Sequence, residues 1–294
     1  MKTKFIFKIT GLCLIFLTVM SFRFLLNKRE IQTISIEDAI EKRLIQVDFL
    51  SNGTYQGNSI VAKIKNLSNL VLKLKVNSGT YFNAFTDEEQ DLITVKDLYV
   101  QLSPRSNLNK NIDGYCCIAS NRCPIKENKF KIVPNKIQHF DKFKALFVGK
   151  NYSHSIVQDA VWALSDKHPI SNITSENPLE TKSLREELSK ITGLKNEWYE
   201  TPQIRNVDPF GNINRETVAV QGNIEFDNKV NATFHQEVQD KNGVILMKTE
   251  KPYKIGVGKV KYFFKLQVTG WEKGKYYVKL YNGNVVLHVN EFEV

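Results

Sequence analysis

Residues 59–78 read SIVAKIKNLSNLVLKLKVNS. Counted in twos, Ile60, Ala62 and Ile64 fall on one side and Lys63 and Lys65 on the other. Leu72, Leu74 and Val76 repeat the arrangement against Lys73 and Lys75. A helix would return its apolar residues every three or four positions, so this period of two predicts a pair of strands, each with one buried face. The intervening NLSN is turn chemistry.

The same reading extends on either side. SIEDAIEKRL (35–44) opens with Ser35 and acidic residues, a helix-entry signal. IQVDFL (45–50), GTYFNAF (79–85), LITVKDLYVQLSP (92–104) and KFKIVP (129–134) continue the strands, with the acidic turn TDEEQD (86–91) between two of them. Residues 44–134 therefore predict an antiparallel β-sandwich. Past residue 138 the period changes. Ile156, Val157, Ala160, Val161 and Leu164 form a helical stripe that Ser153 or Ser155 can cap. TKSLREELSKITG (181–193) predicts a second helix, with Glu186 and Lys190 four apart and Gly193 as its C-cap.

Residues 194–216, containing Pro202, Pro209 and Gly211, read as a linker. From Thr217 six short strand patterns return, with KNG and NGN as hairpin turns and GVGK (256–259) as a third hairpin. The expected fold class is thus mostly β with a helical insert, in two antiparallel β-sandwich (Ig-like) domains. The first covers 35–193, with a cysteine loop and the helices, and the second 217–294.

The chain opens MKTKFIFKITGLCLIFLTVMSFRFLLNKRE. Lys2, Lys4 and Lys8 precede an uncharged, mostly apolar run from Ile9 to Phe22, the length of a signal-peptide core. Residues 1–26 are expected to be a signal peptide or an N-terminal membrane anchor. The expected location is the periplasm, the cell surface or the medium. The net charge of +10 comes mostly from scattered lysines, with only eight arginines among 294 residues. Nucleic-acid binders cluster arginines on one element or interleave basic with aromatic residues, so no nucleic-acid partner is expected.

Export bears on YCCIASNRCP (115–124). Outside the cytosol, thiols at this spacing tend to oxidise, and the expectation is a disulfide of Cys123 with Cys116 or Cys117. Such a short loop closure contributes about 2.5 kcal/mol in the chain-entropy estimate. CC-x5-C is not zinc-knuckle spacing, and the nearest histidine, His139, lies on another expected element. Asp87, Glu88, Glu89 and Asp91 lack the spacing of a calcium loop. No metal or cofactor is expected.

The five histidines are dispersed, no nucleophile elbow occurs, and Gly256 and Gly258 lack phosphate-loop spacing. Trp162, Asp166 and His168 lie close in sequence and form the candidate pocket, at the groove between sandwich and helices. The plainer reading is that Trp162 completes a buried helix face while Asp166 and His168 terminate the helix.

Two resemblances accompany these patterns. Asp240, Gly243, Gly258, Gly274, Tyr276, Tyr277, Val278 and Leu280 stand where Ig-like C-terminal domains of exported Bacteroidetes proteins, including type IX secretion sorting domains, carry a D-x-x-G turn and a G-x-Y strand. The chain ends NEFEV, where sorting domains end in basic residues. Residues 55–175 are similar to a segment of uncharacterised bacterial exported proteins, through Gly79, Thr80, Phe82, Gln90, Asp91, Leu92, Cys116, Gln158, Ala160 and Trp162. The first resemblance implies an Ig-like fold and export, and the second implies a domain without a known activity. The expected function is an exported, non-enzymatic binding or structural module whose partner is an envelope or extracellular protein or a glycan. The alternatives are an adhesin or assembly subunit using an exposed sheet edge, and an enzyme with its site at the sandwich–helix groove.

Overall fold

A computed structural model describes residues 33–294. The segment 1–26 and Cys13 lie outside the described residues. Among the described residues no helix is long and apolar enough to cross a membrane.

The chain begins with β1 (Thr33–Ser35) and α1 (Ile36–Glu41), whose entry is capped by the Ser35 hydroxyl accepting from the Asp38 N–H at 3.0 Å. The first strands follow as β2 (Ile45–Ser51), β3 (Ile60–Asn66), β4 (Leu72–Val76), β5 (Tyr81–Ala84), β6 (Leu92–Ile93), β7 (Leu98–Leu102), β8 (Asn107–Ile112), β9 (Tyr115–Cys116) and β10 (Lys129–Val133). They form a three-stranded sheet, β1-β4-β7, and a seven-stranded sheet, β8-β3-β2-β10-β5-β6-β9. The alternation in 59–78 is realised: Ile60, Ala62 and Ile64 from one sheet and Leu72, Leu74 and Val76 from the other meet in one core. NLSN is therefore not a hairpin but a corner between sheets. Buried Asn66 organises it by donating to the Leu70 and Ser103 carbonyls at 2.8 and 2.9 Å while accepting from Ser68. LITVKDLYVQLSP is likewise not one strand. It divides at 94–97, so that β6 joins the larger sheet and β7 the smaller.

Helices cover the second face of the larger sheet. They are α2 (Phe140–Ala145), α3 (His154–Ser165) and α4 (Pro178–Thr192), with Ser153 capping α3 and Gly193 ending α4 at φ 72°. The β5-β6-β9 end of the sheet is consequently buried on both sides. Phe82, Leu92 and Cys116 enter the sandwich core, while Tyr81, Ile93 and Tyr115 pack with Phe143, Val157, Val161 and Leu188 of the helical layer. A strand buried on both faces loses the apolar–polar alternation, as in YF and LI here. On α4, Lys190 pairs with Glu187 at 2.6 Å.

The expected linker is structured. β11 (Tyr199–Glu200), β12 (Gln203–Val207) and β13 (Ile213–Thr217) occupy it. Pro209 sits in the turn between β12 and β13, which pair as a hairpin, and the Pro202 carbonyl extends that pairing by accepting from the Val218 N–H at 2.9 Å. The second sandwich is completed by β14 (Ala219–Asn228), β15 (Ala232–Asp240), β16 (Ile245–Lys248), β17 (Tyr253–Ile255), β18 (Gly258–Gln267), β19 (Lys275–Asn282) and β20 (Val285–Glu293). One sheet is β11-β14-β18 and the other β16-β15-β19-β20, with β17 paired to β15. Val220, Ile224, Phe264 and Leu266 of the first meet Val238, Tyr276, Val278 and Phe292 of the second. KNG and NGN are hairpin turns. GVGK is not: β17 pairs with β15 and β18 with β14, so the segment crosses between sheets.

Candidate functional site

The structure brings Trp162, Asp166 and His168 together, around an indole that is only 1% exposed. The helical stripe turns Trp162 toward the sheet, where its Nε1 donates to the Gln90 side chain at 3.4 Å. The His168 ring lies 5.8 Å from it, and the His168 N–H donates to the Trp162 carbonyl. Burial pulls the His168 imidazole below its usual value. Asp166 accepts from the Ala119 N–H at 2.7 Å and so fixes the cysteine loop.

Four further residues complete this cluster. Tyr55 stacks on Trp162 at 5.9 Å with an interplanar angle of 8°. The β12–β13 register places Arg205 directly opposite Arg215, and both guanidiniums lie over the indole, at 5.5 and 4.4 Å from its centre. Arg205 donates to buried Asp159 at 2.6 Å, and Arg215 to the Ala119 carbonyl at 2.8 Å. Burial raises the Asp159 carboxyl to about 6, against the opposing pull of Arg205. The alternation of Gln203, Arg205 and Val207 against Arg215 and Thr217, around the DPFGN turn, was the available signal. This cluster is closed. It ties the hairpin to the first sandwich, and Gln158 finishes the task by accepting from and donating to the Cys116 backbone, capping the sheet edge.

Cys116, Cys117 and Cys123 are free thiols in this structure, all buried; the expected bridge from Cys123 to Cys116 or Cys117 is not formed. Successive residues of an extended strand face opposite ways, so Cys116 enters the sandwich core and Cys117 the helical one. Burial pushes all three thiols up, Cys123 to about 12. Among the described residues no group of three or more His, Cys, Asp or Glu is placed to hold a metal ion. In the acidic turn, Glu88 pairs with Arg122, while Asp91 accepts from the Tyr81 hydroxyl at 2.7 Å and the Ala84 N–H at 2.8 Å.

The open candidate site lies elsewhere, between α4 and the outer face of the β11-β14-β18 sheet. It is a cleft of about 400 Å³. Its sheet wall follows from register: Gln221, Asn223 and Glu225 of β14 line it, with Phe263 and Lys261 of β18 opposite Asn223 and Glu225. The alternate positions Val220, Ile224, Phe264 and Leu266 face the core. The helix wall carries Lys182, Arg185 and Glu186, which recur at three- and four-residue spacing. Arg185 and Glu200 form a buried ion pair at 3.1 Å in the floor. Arg185 also donates to the carbonyls of Glu197 and Tyr199 at 2.8 and 2.9 Å, and Glu200 accepts from Thr181 and Gln221. Trp198 lines the cleft, anchored by its Nε1 donating to the Glu291 carbonyl at 2.7 Å. Gly222 admits β11 this close: a Cβ there would collide with the Trp198 carbonyl oxygen and lie 2.9 Å from the Tyr199 Cα.

A larger groove of about 590 Å³ runs beside Lys75, Lys96, Lys144 and Lys150. Lys75 pairs there with Asp97 at 2.8 Å and Lys96 donates to the Lys150 carbonyl at 2.8 Å, which leaves it with a solvated rim and few convergent groups. No protein-family model and no curated protein matches the sequence.

Proposed function

We propose that this chain is an exported, non-enzymatic binding module of the cell envelope or the secreted fraction, and that the cleft between α4 and the second sandwich is its binding site. The observation that carries the reading is the division of labour in that cleft. Its charged floor, Arg185 and Glu200, is immobilised by contacts to backbone and side chains, while amides and aromatic rings face the opening. Glu200 accepts hydrogen bonds at both oxygens, an arrangement for holding a scaffold and a poor one for taking a substrate proton. Pockets of this size at the junction of two domains, with apolar rings and a few convergent polar groups, are the common form of a ligand site. The apolar run within 1–26 and the Ig-like resemblance of the C-terminal strands support export.

The test is saturation-transfer NMR on the purified chain mixed with an extract of its host's envelope, followed over hours. Selective saturation of extract components with no change in their amounts is expected. Consumption of any component by the protein refutes the non-enzymatic reading. Cell fractionation with intact-mass measurement tests export separately.

One observation favours a second reading, an adhesin or assembly subunit. β20 is an outer strand, and Val285, Val286 and Val289 are exposed along it. Such an edge can accept a partner strand. Loss of a partner on Val286→Lys, with the cleft unaltered, would favour this reading over the cleft.

A further inference from the structure

Resting on the binding-module reading, we infer that the ligand of this cleft is a neutral, polyhydroxylated chain, a short glycan segment lying along the outer face of β14 and β18. The first argument is charge. The lining holds three cationic side chains and four carboxylates. The principal ones are already paired with each other, Arg185 with Glu200 and Lys261 with Glu225. An anion entering the cleft would have to compete with Glu225 for Lys261, and a cation with Lys261 for Glu225. The fourth carboxylate, Glu197, is paired with Lys195 just outside the lining, which leaves Lys182 against Glu186 and gives a ligand of either sign little field to gain.

The second argument is the remaining polar chemistry. Asn196 and Asn223 are exposed at the rim, and Gln221 lies half-buried between them and the floor. A carboxamide offers donors and acceptors side by side, as a sugar hydroxyl does, so amides recognise hydroxyls without selecting charge. The third is the apolar surface. Phe263 is 52% exposed, so its ring face is available to a ligand, and it stands directly opposite Asn223 in the β14–β18 ladder. A ring face beside an amide matches the C–H face and hydroxyl edge of a pyranose.

A peptide is the competing neutral polymer. Peptides are commonly held by main-chain hydrogen bonds to a free strand edge. The wall here is the face of a sheet, with β14 paired to β18 along its whole length and to β11 at Gln221 and Gly222, so what faces the cleft is the side chains of Gln221, Asn223 and Phe263. Recognition must come from side chains, which suits hydroxyls better than amide backbone.

The experiment uses the purified full chain with cellotriose, mannotriose and triacetylchitotriose as neutral probes, and trigalacturonate and trialanine as charged and peptide comparators. At least one neutral trisaccharide should show saturation transfer. Phe263→Ala and Asn223→Ala, both surface changes, should each weaken it about tenfold, while Phe85→Ala, on the first domain, should not. Binding of trigalacturonate or trialanine alone, lost in Phe263→Ala, overturns the glycan assignment and leaves the binding-module reading intact. Trisaccharide binding unaffected by both cleft variants overturns the placement. No binding of any neutral trisaccharide overturns the inference. Hydrolysis of a bound trisaccharide overturns the non-enzymatic reading instead.

Discussion

Replacing Asp159 with Asn should remove a pH dependence of stability whose sign reports which force dominates beneath the β12–β13 hairpin. Asp159 is 5% exposed and receives the Arg205 guanidinium at 2.6 Å. Two effects oppose each other there: burial disfavours the charged carboxylate, and the arginines favour it. Burial wins, and the carboxyl titrates at about 6 instead of 3.8. With the folded pKa above the unfolded one, the folded state holds the extra proton. The resulting stability is full below about pH 4 and is lost as pH rises through 6. A shift of about two units at about 1.4 kcal/mol each makes this loss about 3 kcal/mol.

The wild-type curve alone is not diagnostic, because other carboxyls work in the opposite sense. Asp208, Glu225 and Glu291 are held below the usual range by hydrogen bonds to Asn212, Lys261 and Lys275, and their contribution is lost as pH falls. Subtracting the Asp159→Asn variant cancels them. Asparagine keeps the shape of the protonated acid and retains an oxygen for Arg205. Urea unfolding of both proteins at pH 4, 5, 6 and 7 should show the variant gaining about 3 kcal/mol relative to wild type from the lowest to the highest pH. A pH-independent difference would refute the reasoning. A wild type that gains on the variant as pH rises would mean that Arg205 outweighs burial and the acid stays charged.

Other changes test the architecture. Gly222→Ala should destabilise the second sandwich by about 2 kcal/mol or more and blunt ligand binding, because a methyl there forces β11 off β14; calorimetry and the NMR titration check both. Asn66→Ala leaves the Leu70 and Ser103 carbonyls without their buried donor and should cost about 2–3 kcal/mol by urea titration. Reduced, folded protein should resist iodoacetamide at Cys116, Cys117 and Cys123 and take up label at all three in urea, because burial keeps the thiols both shielded and protonated. Rapid labelling of the folded chain would contradict that burial. Alkylation before and after reduction of protein recovered from its host will show whether Cys123 is paired with Cys116 or Cys117 there.

What could be read locally was read correctly where one residue's neighbours in the chain determine its state. The period of two in 59–78, the serine caps at Ser35 and Ser153, the glycine end of α4 and the KNG and NGN hairpins all depend on backbone preferences within a few residues. The mostly β class with its helical insert followed from these alone. The mistakes came where a local pattern has several tertiary uses. GVGK is turn-forming wherever it occurs, but only packing decided that it carries the chain from one sheet to another and is not a hairpin. The double burial of Tyr81 and Phe82 erased the alternation that would have defined β5. With Pro202 and Pro209 flanking β12, and Gly211 in the turn before β13, the segment has the composition of a linker, and the role of its hairpin is decided only where Arg205 and Arg215 reach Trp162.

Of the candidate sites, the sequence by itself determined that Trp162, Asp166 and His168 lie at one helix end, because four or six residues of helix and turn leave them little choice. Whether that place was open was a tertiary decision, taken by a hairpin about forty residues further along that closes over the indole. The cleft depended on tertiary structure altogether. Asn223 and Phe263 become neighbours only through the pairing of β14 with β18, and Arg185 meets Glu200 only when α4 docks beside them. Backbone preference and side-chain period act over one or two turns of chain, whereas a site made from two strands and a helix requires the distant pairings that burial of the whole core selects.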